Sequence, residues 1–159
     1  MPSQPIVDFD TLDLSRPAFG MDEVRKFCKQ RGRFEMLDGV LLFAPEQSLC
    51  IGFKDVRADD WWATDHIPGR PIFPGALQCE AAAQLSTFDY LKRRPDAAHV
   101  FLGFAGLDSV RFRGMVAPPS RLVIATRAIK SRSSMFIYEA QGFVGRQMVF
   151  EGQILGTVV

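Results

Sequence analysis

Cysteine is scarce in this chain, with three residues, Cys28, Cys50 and Cys79, and no CxxC pair. Three thiols cannot all pair, and no His/Cys cluster has zinc-ligand spacing, so neither a disulfide framework nor a zinc module is expected. Charge of one sign is also lacking: 19 basic residues face 18 acidic ones. A nucleic-acid partner usually leaves a clear basic excess, so none is expected. No run approaches ~18 consecutive apolar residues, which argues against a membrane span. The first twenty residues carry Asp8, Asp10 and Asp13 and no apolar core, which argues against a secretory signal. These absences predict a soluble, cytoplasmic protein with reduced thiols. Tryptophan and tyrosine are rare, two of each, whereas phenylalanine is abundant at 14. That bias points to a large apolar core, an apolar ligand channel, or both.

At 159 residues the chain is long enough for one domain with a short appendage. Residues 1–19 hold Pro2, Pro5 and Pro17 with little periodicity and read as an extended arm; residues 20–159 read as a single domain. Met21 to Arg31 has acids first and bases last, which suits a helix dipole, with Val24, Phe27 and Cys28 on one stripe. Gly39–Ala44 and Ser48–Val56 read as strands. In the second, Leu49, Ile51 and Phe53 alternate with Cys50, Gly52 and Lys54. Residues 59–74 form a turn-rich stiff loop, and Gly75 to Arg93 is the longest helix, ended before Pro95. Residues 100–112 read as one long or bulged strand, and 122–129, 135–144 and 147–155 as an antiparallel meander. Segregated helices beside an antiparallel sheet define an α+β fold, with the sheet wrapped around the Ala-rich helix.

Chemistry concentrates in one segment, HIPGRPIFPGALQCEAAAQ, residues 66–84. His66 stands in a proline-stiffened loop and carries the side chain best suited to exchange protons near neutrality. Gly75 opens a helix, where a bare N–H at the positive end can receive a developing oxyanion. Glu80 lies inside that helix among Ala, Cys and Leu, which suits a proton donor. Gln84, one turn on, can hold the rotamer of Glu80.

That segment resembles the active-site signature of the 3-hydroxyacyl-(acyl-carrier-protein) dehydratases of fatty-acid synthesis, H-F-P-G-x-P-I-x-P-G-V-x-x-x-E-A-x-A-Q. A second block, FLGFAGLDSVRF at 101–112, resembles the family's F-A-G-I-D-x-x-R-F strand. The resemblance runs from about Gly32 to the C-terminus. Ile67 departs from the usual Phe, and Gly32–Asp38 keeps only a remnant of the family's H-R-x-P-x-L-x-x-D segment. The resemblance implies a hotdog fold, a long central helix wrapped by a curved antiparallel sheet, paired as a double-hotdog dimer and in many members as a trimer of dimers. It implies dehydration of (3R)-3-hydroxyacyl thioesters to trans-2-enoyl thioesters, on acyl-carrier protein or coenzyme A, with no metal or organic cofactor. Carried over by position, His66 is the base, Glu80 the acid from the neighbouring copy, and Gly75 the donor to the thioester carbonyl. The Ile72 carbonyl orients His66 and Gln84 supports Glu80. Phe73, Phe101 and Phe104 are candidates for the acyl tunnel, and Arg70, Arg111, Arg113 and Arg132 for steering an acidic carrier. The competing readings are another hotdog thioester enzyme, such as a polyketide-type dehydratase or a thioesterase, and a non-catalytic acyl-binding protein. A pure binder would have no use for both His66 and Glu80.

Overall fold

The computed structural model describes residues 1–97 and 99–159. Among the described residues six strands form one antiparallel sheet: β1 (Gly39–Ala44), β2 (Leu49–Val56), β3 (Leu102–Phe112), β4 (Ser120–Ser131), β5 (Met135–Val144) and β6 (Gln147–Val158). Their spatial order is β1-β2-β4-β5-β6-β3, so β1 and β3 are the edges. Three α-helices accompany them: α1 (Met21–Phe27), α2 (Trp61–Asp65) and α3 (Gly75–Lys92). The meander β4-β5-β6 has the expected antiparallel pairing.

Helix α3 packs against β2 through β6. It is buried on nearly every side, from Gln78 and Cys79 through Ala81, Ala82, Leu85 and Phe88 to Leu91. A helix without a solvated face needs a sheet that curves around it. Small residues allow the approach: a Cβ on Gly52 of β2 would fall 2.9 Å from Leu85 Cδ1. Among the described residues Gln78 Oε1 on α3 is buried without a hydrogen-bond partner, whereas Gln84 and one oxygen of Asp89 are partnered. Buried Asp89 accepts from the Tyr138 hydroxyl at 2.6 Å and from Arg93 Nε at 2.7 Å. Burial, followed by the charge of Asp89, pushes the Tyr138 phenol well above its ordinary range.

The alternation along β2 divides two apolar clusters. Cys50 faces α3, whereas Leu49, Ile51 and Phe53 belong to a separate cluster with Leu41, Val123 and Phe143. The arm covers that second cluster with Ile6, Val7, Phe9 and Leu12, and the Phe9 ring stands edge-on to Phe143 at 5.2 Å. Polar contacts hold its backbone. Gln141, fully buried, accepts from Ile6 N–H at 2.9 Å and donates to Gln4 O at 2.9 Å. Arg121 donates to Leu14 O at 2.9 Å. Ordering each arm residue costs ~1–2 kcal/mol, which apolar burial at ~25 cal/mol/Å² must offset. Part of the phenylalanine excess is thereby accounted for by two cores rather than one.

Three local expectations need correction. The first helix ends at Phe27, not Arg31: Cys28 turns extended at φ −86°, ψ 131°. The Arg31 guanidinium folds back onto Cys28 O at 2.9 Å and Arg25 O at 3.1 Å, satisfying carbonyls that another helical turn would otherwise have used. The stretch 59–74 contains the short helix α2, held by two aromatic anchors described below. Strands β4 and β6 extend beyond their expected ends, to 120–131 and 147–158, because ladder pairing continues through polar residues that carry no apolar pattern. The expected irregularity of β3 is present: its register against β6 shifts between Phe104 and Gly106 and again between Asp108 and Arg111.

Candidate active site

His66 directly follows α2, and its backbone N–H donates to Trp62 O at 2.9 Å. The next residues turn tightly: Arg70 N–H donates to Ile67 O at 3.0 Å, with Gly69 at φ +78°. The loop is pinned at both ends. Trp62 and Phe73 are buried and meet edge-on at 5.2 Å, and Phe73 N–H donates to Val116 O at 2.7 Å. So held, the exposed His66 ring places Nδ1 2.9 Å from Ile72 O. A carbonyl oxygen only accepts, so the proton sits on Nδ1 and the Nε2 lone pair is left free to act as a base.

Gly75 is the first residue of α3, after Pro74 in extended conformation. The Pro74 carbonyl takes Leu77 N–H at 3.0 Å and Gln78 N–H at 3.1 Å. Among the described residues no acceptor meets Gly75 N–H, so its partial positive charge at the helix N-terminus is left unsatisfied. A side chain is impossible here without movement: a Cβ would lie 2.7, 2.9 and 3.1 Å from ring carbons of Phe112. Phe112, on β3, in turn stacks tilted on Phe150 at 5.8 Å.

Glu80 lies half-buried on α3. Its Oε1 accepts from Gln84 Nε2 at 2.8 Å and, at 3.5 Å, from Gln30 Nε2. Gln84 is buried and fully used: Nε2 also donates to Phe34 O at 2.7 Å, and Oε1 accepts from Met36 N–H at 3.0 Å. The carboxylate is therefore tied through one amide to the segment before β1. Nearby, burial pushes the Cys28 thiol up to about 12, with the Glu80 charge adding to it, so Cys28 is an inert neighbour.

The sequence-predicted residues thus form two groups. His66, Ile72 and Gly75 sit at the N-terminal end of α3; Glu80 and Gln84 sit further along it. Among the described residues no hydrogen bond joins the groups within one chain. Glu80 lines a cavity of about 60 Å³ with Ala83, Thr87 and Phe104, and His66 is not part of its wall. Of the tunnel candidates, Phe104 lines this cavity and exposed Phe101 lines the neighbouring one. Phe73 instead sits in the main core against Trp62, where its role is to anchor the loop. The steering candidates also differ. Arg113 is paired with Glu151, whereas Arg70, beside His66, has no carboxylate partner among the described residues. Two site residues escaped the sequence reading, Gln30 and Phe112. Gln30 has no local signature; Phe112 closes the second motif, but its approach to Gly75 comes from tertiary packing.

A long buried helix inside a curved antiparallel sheet, with a pinned histidine at its tip and a tethered glutamate on its flank, defines a hotdog-fold protein. The dehydratase heterocomplex ApeI:P from Xenorhabdus doucetiae has the same fold, with a TM-score of 0.72 at 14% identity over 86% of this chain and 90% of that one. Residues 29–153 match the FabA-like domain model, and the chain belongs to that family. Among curated relatives, the 3-hydroxyacyl-(acyl-carrier-protein) dehydratase FabZ of Desulfotalea psychrophila is 31% identical, covering 78% of this chain and 83% of its own length. FabZ of Syntrophobacter fumaroxidans is likewise 31% identical, covering 86% and 91%.

Proposed function

We propose that the protein dehydrates 3-hydroxyacyl thioesters carried on acyl-carrier protein, in fatty-acid biosynthesis, to trans-2-enoyl thioesters. The observation that carries the reading is the pinned tautomer of His66 beside the unpaired N–H of Gly75. The thioester carbonyl accepts from Gly75 N–H at the helix tip. That dipole stabilises the negative charge that develops as His66 Nε2 removes the C2 proton. The C3–O bond then breaks, with Glu80 giving the proton that turns the hydroxyl into water. The imidazolium returns a proton to the carboxylate through solvent, and both groups are reset.

This chemistry needs His66 and Glu80 on one substrate, and a second copy supplies the missing half. Edge strand β3 has one unpaired side and exposes Phe104, Leu107 and Phe112. An exposed apolar edge of this kind calls for cover. Antiparallel pairing of β3 with its copy about a two-fold axis would continue the sheet and bury those side chains. In that dimer Glu80 of one copy serves His66 of the other. Arg70, in the loop after His66 and with no carboxylate partner among the described residues, is the candidate for steering an acidic carrier.

The test is to follow the enoyl absorbance of thioesters with purified protein, on acyl-carrier protein and on coenzyme A. Interconversion of 3-hydroxyacyl and enoyl forms supports the proposal. Hydrolysis to free thiol, or no turnover on either carrier, refutes it.

A further inference from the structure

Two small cavities lie end to end along one face of α3. The first, about 60 Å³, reaches Glu80; the second, about 80 Å³, reaches Leu91 and Phe101. Glu80, Ala83, Thr87 and Leu91 follow one another at three- and four-residue steps, so a single helical stripe floors both. Gln30, Thr87 and Leu102 belong to the walls of both cavities, and so separate them.

Gln30 is at the wall because α1 stops early and its chain turns extended at Cys28. Its Nε2 makes only the long 3.5 Å contact to Glu80, and its Oε1 is buried with no hydrogen-bond partner. A buried, unpaired amide oxygen costs ~1–3 kcal/mol, so its retention calls for a reason. An alkyl chain threading past it would replace any residual solvent access with hydrocarbon and satisfy nothing.

We infer that Gln30, with Leu102, is the septum that limits the acyl chain, making this a short-chain enzyme. The inference rests on the dehydratase reading. A cavity of about 60 Å³ holds only a few methylenes beyond the reacting C1–C3 unit. Chains of about six carbons fit, whereas longer ones meet the amide. Removing the septum would join the cavities and more than double the room.

The experiment measures kcat/KM for 3-hydroxyacyl thioesters of four to twelve carbons with the wild type and with Gln30→Ala and Leu102→Ala. For the wild type, a drop of at least tenfold is expected between six and ten carbons. Each variant should move that drop two to four carbons outward within its own length profile, whatever its absolute rate. A flat wild-type profile, or a drop that stays in place in both variants, overturns the septum and leaves the dehydratase reading standing. A wild type inactive at every length overturns both.

Discussion

Gln84 is the residue whose loss the structure translates most directly into numbers. Replacing it with Leu keeps the volume and removes every hydrogen bond. Met36 N–H, on a residue only 2% exposed, would lose its acceptor. Phe34 O would lose its donor, and Glu80 its 2.8 Å tether. The buried Met36 N–H costs ~1–3 kcal/mol when orphaned, whereas the carbonyl of exposed Phe34 can turn to water, so a destabilisation of roughly 1–3 kcal/mol is expected. For a domain of this size each kcal/mol is worth about 2–4 °C in Tm, which places the drop at roughly 2–12 °C. Loss of the tether should also lower kcat by about 10- to 100-fold, with less change in KM, because a mobile carboxyl misplaces the proton. Calorimetry and steady-state kinetics below the new Tm read the two effects separately. Gln84→Glu sharpens the test. One oxygen still accepts from Met36, while the other faces the Phe34 carbonyl and Glu80, so part of its stability should return as acid protonates it. A Gln84→Leu protein within 1 kcal/mol of wild type and equally active would refute this account of how Glu80 is held.

Other outcomes follow from the same geometry. Gly75→Ala must displace the Phe112 ring and disturb the helix tip, so it should lower kcat at least tenfold while shifting Tm by only a few degrees; unchanged kinetics would contradict the claim that this close packing positions the tip. Burial raises the pKa of all three thiols, Cys28 up to about 12. Iodoacetamide at pH 8 should therefore leave the folded protein unlabelled, and labelling at the rate of a free cysteine would refute that. Burial raises the pKa of Glu151, but the Ser3 hydroxyl and N–H, and then Arg113, outweigh it, so its carboxyl stays below the ordinary 4.5. A depressed folded pKa stabilises above the unfolded value, and that stability is lost as pH falls through the folded one. The arm should accordingly loosen as pH falls below the ordinary carboxylate range, read by proteolysis within residues 1–14; an arm equally protected in acid would contradict this.

The parts of the fold that depend on local pattern were legible in the sequence. The α3 boundaries follow from Pro74-Gly75 at one end and Arg94-Pro95 at the other, and the meander follows from period-two runs between short turns. The Gln84–Glu80 pair was legible because one helical turn separates the two residues, and the Ile72–His66 pair was implied by the family resemblance. What stayed hidden was tertiary. The arm read as merely extended, since Ile6, Val7, Phe9 and Leu12 have no period and reveal their role only against Phe143 and Ile51. Phe73 looked like a tunnel residue because composition does not show which way a ring points. Gln30 was silent because its partner, Glu80, lies fifty residues away.

The most direct test of the composite site is to mix two inactive variants, His66→Ala and Glu80→Gln, after unfolding and refolding them together. If each site takes its imidazole from one copy and its carboxyl from the other, half of the randomly formed dimers are mixed and each carries one intact site. About a quarter of wild-type activity should then return. Mixtures that re-form dimers yet remain as inactive as either parent would contradict a site shared between two copies.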